Sequence, residues 1–257
     1  MTNTSAVPLE TTPTATEATT EKVALGWTHT ARFLTTASQL VHLPATELPE
    51  IAFVGRSNAG KSTAINQLAQ QKRLAFASKT PGRTQHINLF ELGPKDAADC
   101  LFADLPGYGY AAVARSAKLR WQKVMADYLE VRRSLSGLVL MVDSRLGLTE
   151  LDKQLLEFVT DRIANGSVRL LVLLTKADKL NRKEANAVLA STQEFLGGIA
   201  TEESEIVVTL FSALKKQGIG DVALVLHDWT RRTLAAAAAS AAFAASAPAE
   251  PAETKPE

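Results

Sequence analysis

Residues Gly55-Arg56-Ser57-Asn58-Ala59-Gly60-Lys61-Ser62 stand in the order G-x-x-x-x-G-K-S. Glycines at that spacing let successive backbone N–H groups close around phosphate oxygens, and a helix that follows adds the partial positive charge of its N-terminus. Lys61 can reach β- and γ-phosphates, and the Ser62 hydroxyl can ligate Mg²⁺. The flanks fit this chemistry. Ile51-Ala52-Phe53-Val54 reads as a buried strand, and the run from Ser62 to Leu68 reads as the start of a helix. The alternative is a chance match in an ordinary strand–loop–helix turn, against which both flanks argue. This loop does not by itself separate ATP from GTP.

A second stretch makes that distinction. The apolar run Leu170–Leu174 leads directly into Thr175-Lys176-Ala177-Asp178, at a strand's carboxyl end, where α/β sheets bind ligands. A guanine edge offers two adjacent donors, and one carboxylate, Asp178, can accept both; adenine has no such pair. The aliphatic stem of Lys176 can lie over the base plane. Taken alone, Thr175–Asp178 also reads as a helix cap with a flanking lysine. Further on, Phe211-Ser212-Ala213 follows another strand, and the Ala213 N–H could donate to guanine O6.

Asp104-Leu105-Pro106-Gly107 has the form D-x-x-G after the apolar run Cys100–Ala103. Asp104 can hold Mg²⁺ through water, and the Gly107 N–H can bond a γ-phosphate and lose that bond on hydrolysis. Pro-Gly turns are frequent, so the tetrapeptide alone is weak. Between it and the phosphate loop lies Lys79-Thr80-Pro81-Gly82-Arg83-Thr84-Gln85-His86. One of its hydroxyls should complete the Mg²⁺ shell when γ-phosphate is present. Thr84 is the choice and Thr80 the alternative. Within the phosphate loop, the Asn58 carbonyl could face the phosphates, or Asn58 could serve only the loop's turn.

The elements that must hold these loops alternate along the chain. Strands are expected at Ile51–Val54, Ile87–Leu92, Cys100–Ala103, Leu138–Val142, Leu170–Leu174 and Ile206–Leu210, with helices near 61–71, 117–132, 150–164, 182–197 and 217–232. This βαβ alternation predicts an α/β three-layer fold: a mostly parallel six-stranded sheet with helices on both faces. The runs 87–92 and 100–103 lie too close for a crossover helix, so they predict a hairpin and one antiparallel edge strand.

The chain has 257 residues and is 46% apolar, ample for a packed core. Its one cysteine, Cys100, sits in an apolar run, excludes an intrachain disulfide framework and fits a reducing, cytoplasmic setting. No secretory leader or membrane span is expected. Residues 1–23 are rich in Thr, Ala, Pro and Glu and predict a disordered tail. Residues 233–257 form an Ala/Pro/Glu-rich tail whose first part can extend a helix. The net charge is +1, but both tails are acidic, which leaves about +6 on the body between them. A moderately basic body is compatible with a nucleic-acid partner, and equally with ordinary surface charge.

Taken together, Gly55–Ser62 with Asn58, Lys79–Gln85, Asp104–Ala111, Thr175–Asp178 and Phe211–Lys216 resemble the EngB (YihA/YsxC) family of bacterial GTPases over roughly residues 24–232. The resemblance implies a Ras-like P-loop GTPase fold, GTP/GDP and Mg²⁺ binding, and Thr84 as the switch threonine. It implies nucleotide contacts from Gly55–Ser62, Gly82–His86, Asp104–Gly107, Thr175–Asp178 and Phe211–Ala213. Lys61, Thr84 and Asn58 are the expected catalytic residues, with K⁺ as a further fixed charge near Asn58, as in related GTPases that carry this Asn. It also implies a role in large ribosomal subunit assembly and in cell division and septation, with a monomer expected. A nucleotide-gated scaffold at the division site is the alternative. His86 departs from the Thr that many members carry. Where many small GTPases place a water-orienting Gln after D-x-x-G, this chain has Tyr108, so intrinsic hydrolysis should be slow.

Overall fold

The structure is a computed structural model and describes residues 15–75, 86–109 and 115–246. Seven strands form one sheet: β1 (Arg32–Ala37), β2 (Glu50–Gly55), β3 (Ile87–Leu92), β4 (Cys100–Asp104), β5 (Leu135–Asp143), β6 (Arg169–Thr175) and β7 (Ile206–Leu210). Their order across the sheet is β1-β3-β4-β2-β5-β6-β7. The pairs β2·β4, β2·β5, β5·β6 and β6·β7 are parallel; β1·β3 and β3·β4 are antiparallel.

Among the described residues six α-helices cover both faces: α1 (Ala15–Thr28), α2 (Lys61–Leu68), α3 (Arg115–Val131), α4 (Glu150–Ala164), α5 (Arg182–Gly197) and α6 (Ile219–Ser246). One apolar layer joins the sheet to Tyr128 and Leu129 of α3, Leu156 of α4 and Leu196 of α5. The opposite layer joins it to Trp27 of α1, Ile65 of α2 and Trp229 of α6. This sandwiching explains the strand sequences. Every residue of β2 is buried, so the strand reads as a continuous apolar run, whereas β7 at the sheet's end alternates.

The α/β three-layer class is as expected, with two corrections. The sheet has seven strands, not six, and β3 is not its edge, because β1 pairs along its outer side. The sequence of β1, Arg-Phe-Leu-Thr-Thr-Ala, lacks a buried apolar run. Phe33 and Leu34 are exposed, and the register shifts between Phe33 and Thr35. Such a bulge breaks the period-2 pattern by which a strand is recognised.

The N-terminus also differs from the compositional reading. Helix α1 begins at Ala15, inside the stretch expected to be disordered. Packing supplies the burial that composition alone did not promise: Ala24 and Trp27 are buried, and the Trp27 ring meets Phe102 edge-on and lies beside His227. At the other end α6 runs unbroken from Ile219 to Ser246, so the Ala-rich stretch after 232 is helix. Residues 1–14 and 247–257 lie outside the described residues.

At the sheet end remote from the phosphate loop, the fully buried Glu50 carboxylate accepts from the Tyr128 hydroxyl, from Arg132 Nη2 at 2.8 Å and from Ser134 Oγ at 3.3 Å. Arg162 donates to the carbonyl of Leu129 in the last turn of α3 and to those of Arg132 and Leu135 just after it. These contacts pin the C-terminal end of α3 to the sheet.

Candidate functional site

Strand β2 ends at Gly55, the loop 56–60 turns, and α2 starts at Lys61. Gly55 has φ +152°, and a Cβ there would lie 2.6 Å from the Met141 carbonyl oxygen of β5. Asn58 (φ 66°) and Gly60 (φ 105°) take left-handed conformations that turn the loop tightly into α2. Lys61 is buried, and its Nζ donates to the Gly55 carbonyl at 3.3 Å, inside the loop's mouth.

The register of β2 and β4 sets Asp104 beside Phe53, at the same sheet end as the loop. Ser62 Oγ donates to Asp104 Oδ2 at 3.2 Å. Asp104 Oδ1 is buried and has no hydrogen-bond partner among the described residues. Burial pushes the Asp104 carboxyl up, against the pull of Lys61 and Ser62; burial likewise lowers Lys61, against the pull of Asp104. A buried acid with one bare oxygen and a neighbouring hydroxyl fits a hard dication that prefers oxygen ligands.

The segment after Asp104 folds onto the phosphate loop. Ser57 N–H donates to the Tyr108 carbonyl at 2.8 Å, and Tyr108 N–H donates to the Gly55 carbonyl at 3.2 Å. Ser57 Oγ donates to the Gly107 carbonyl at 3.2 Å. A Cβ on Gly107 would sit 3.0 Å from the Ser57 N and Cα and 2.8 Å from Lys61 Nζ, so a side chain there would press on the loop's backbone.

On the other side, β6 delivers Thr175 to the loop. Lys176 (φ 58°) turns the chain, and its Nζ donates to the Asn58 carbonyl at 2.8 Å and Asp143 Oδ2 at 2.7 Å. The Lys176 stem therefore bridges the phosphate loop and the base-reading turn. Asp178 follows in a single helical turn, and Ser212 Oγ donates to its Oδ1 at 2.6 Å. That bond, aided by Lys179, holds the Asp178 carboxyl below the usual carboxylate range against modest burial. Ala177 N–H donates to the Phe211 carbonyl at 3.1 Å, which places Ser212 and Ala213 next to Asp178.

The structure thus brings together Gly55–Ser62, Asp104–Gly107, Thr175–Asp178 and Phe211–Ala213. Thr84, with Lys79–Gln85, lies outside the described residues; His86 is described and exposed, just before β3. Two residues at the site went unread in the sequence. Asp143, at the end of β5, is held well below the usual carboxylate range, chiefly by the Arg145 fork and further by Lys176. Asp152, in the first turn of α4, accepts from the Tyr108 hydroxyl at 2.6 Å. An acidic residue closing an apolar strand was the available signal for Asp143.

A sheet that sets a phosphate loop, a D-x-x-G turn and a guanine-reading turn along one edge of parallel strands makes this chain a P-loop GTPase. Comparison with known proteins narrows the class. A family profile described as a 50S ribosome-binding GTPase matches residues 50–176. The "probable GTP-binding protein EngB" of Acidovorax ebreus is 62% identical over 205 residues, which span 80% of this chain and 90% of that protein. Its counterpart in Albidiferax ferrireducens is 59% identical over 215 residues, 84% of this chain and 100% of that protein. A crystal structure of a probable GTP-binding protein EngB shares the fold at a TM-score of 0.53, with 23% identity, 71% of this chain and 99% of that one. The chain belongs to the EngB family of GTP-binding proteins, and it is a GTP-binding protein and a GTPase. No described helix is long and apolar enough to cross a membrane.

Proposed function

We propose that this GTPase is a nucleotide-driven switch that assists assembly of the large ribosomal subunit and is thereby needed for normal cell division and septation. The observation that carries the reading is the bonded contact of Gly107 and Tyr108 with the phosphate loop, because it ties bound nucleotide to the chain leading into α3. The matched profile's description as a 50S ribosome-binding GTPase supports the choice of partner.

In this reading Lys61 and the N–H groups of Arg56–Ser62 hold the β- and γ-phosphates. Ser62 and, through water, Asp104 hold Mg²⁺, with Thr84 completing the shell when GTP is bound. The ion, when bound, neutralises charge on the β- and γ-oxygens. Asp178 accepts from the guanine donors, Thr175 and Lys176 seat the turn, and Ala213 donates to O6. Asn58 is the proposed partner of K⁺, for which matched turnover in KCl and NaCl is the test. Tyr108 gives no amide to orient water, so hydrolysis is slow without a partner. The protein acts as a cytoplasmic monomer, and α3, whose exposed Lys123 is paired with Asp127, is the basic element offered to ribosomal RNA.

The deciding experiment is co-sedimentation of tagged protein with ribosomal particles, loaded with a GTP analogue or with GDP. Analogue-dependent migration with large-subunit precursors is expected. Recovery on division proteins in place of ribosomal particles would favour a scaffold at the division site.

A further inference from the structure

Tyr108 stands where many small GTPases carry the residue that orients water, yet its side chain is committed to α4. Its ring is buried, and its hydroxyl donates to Asp152 Oδ1 on α4 at 2.6 Å. The acceptor is itself held rigidly. Asp152 is 1% exposed, and its other oxygen accepts from the Thr149 N–H at 2.8 Å and the Thr149 hydroxyl at 2.6 Å. Burial and the adjacent carboxylate push the Tyr108 phenol far up, so it keeps its proton and acts only as a donor.

This anchor closes a segment that occupies contested ground. Gly107 lies against Lys61 Nζ and the Ser57 backbone. The Ser57 N–H is spent on the Tyr108 carbonyl. Next in the chain, Gly109 (φ +79°) has its Cβ space filled by Leu151 of α4 and by Arg56. In the reading above Gly107 serves the γ-phosphate, and its packing directly on Lys61 Nζ and the Ser57 backbone takes up the room a γ-phosphate would need between them. The buried Arg56 Nε has no hydrogen-bond partner among the described residues, so the Arg56 side chain adds no bond through that atom. The closed position is held by the Tyr108 hydroxyl, by the Ser57 hydroxyl on the Gly107 carbonyl and by the short backbone ladder.

We propose that the Tyr108–Asp152 hydrogen bond is a latch that holds the D-x-x-G segment closed over the phosphate loop and biases the protein toward GDP. Asp152 is then a positioning residue acting through Tyr108. The inference rests on the reading that Gly107 serves the γ-phosphate. A hydrogen bond to a buried carboxylate is among the stronger kinds, so breaking it taxes GTP and leaves GDP untouched.

The test uses the full chain with fluorescent GDP and a fluorescent non-hydrolysable GTP analogue. Tyr108→Phe keeps the ring and removes the donor. The analogue's affinity relative to GDP should rise roughly tenfold, the change expected when one charge-assisted bond is lost from the closed state only. Asp152→Asn keeps an acceptor without its charge and should move the ratio the same way by about threefold. A ratio within twofold of wild type in Tyr108→Phe overturns the latch. Equal loss of both nucleotides also overturns it, by assigning Tyr108 a purely structural role. Failure of the wild-type chain to bind either guanine nucleotide would instead sink the underlying GTPase reading.

Discussion

Thr175 Oγ1 donates to the Ala59 carbonyl at 2.7 Å and lies 3.0 Å from the Val142 carbonyl. The strand that carries the base-reading turn is thereby bonded to the phosphate loop, so one buried hydroxyl joins Lys176 in tying the two halves of the site together. Thr175→Val keeps the shape and removes that tie. It should weaken GTP and GDP alike by about 1–3 kcal/mol. Equilibrium titration with labelled GDP checks this, and affinity within twofold of wild type would show that the loop stands without it.

Ser212 is expected to govern the acid limit of guanine binding. Its hydroxyl is the largest influence holding the Asp178 carboxyl down. A depressed carboxylate stays charged as pH falls, so base recognition persists through the usual carboxylate range and fails only below it. Ser212→Ala should move that failure to higher pH. The difference between variant and wild-type titrations cancels the nucleotide's own ionisation. Asp178→Asn should weaken GTP by roughly 1.5–3 kcal/mol and improve binding of xanthosine triphosphate.

Removing Arg132 should be costly. Its guanidinium is the cationic partner of the buried Glu50, through Nη2 at 2.8 Å and Nε at 3.1 Å. Arg132→Leu leaves a buried carboxylate facing only two hydroxyls and should destabilise the chain by roughly 3–5 kcal/mol. Urea unfolding measures this directly. A loss below 1 kcal/mol would mean that water reaches Glu50 once Arg132 is gone.

Trp27 tests whether α1 belongs to the folded body. Its ring packs on Phe102, and Nε1 donates to Asp99 at 2.9 Å. Trp27→Ala should cost about 3–5 kcal/mol, the range for a truncated core aromatic. Nucleotide affinity measured well below the unfolding temperature should be unchanged. An unaltered melting temperature would return α1 to the status of a dispensable tail.

The parts of the molecule legible in the sequence are those where local chemistry and burial agree. Ile51–Val54 and Leu170–Leu174 are apolar throughout because helices cover both faces, and each leads into a loop whose residue types admit few uses. Strand β1 escaped notice because an edge strand needs little burial and this one carries a bulge. Asp152 was hidden for a different reason. An acidic residue in the first turn of a helix is already explained by its own backbone, so nothing local points to Tyr108, 44 positions earlier in the chain. Pairings made across the fold leave no spacing to read.

Gly55 has a consequence for how such loops are recognised. A side chain at this position would strike β5 whether or not a nucleotide were ever bound, since the obstruction is the Met141 backbone. The first glycine of the phosphate-loop pattern is therefore a seam between two neighbouring strands as much as a cradle for phosphate. A descendant that had abandoned nucleotide would still be compelled to keep it. Lys61 and Ser62, which meet the strands only through polar tips on Gly55 and Asp104 and obstruct nothing, are the letters of the pattern whose loss would record such a change of trade.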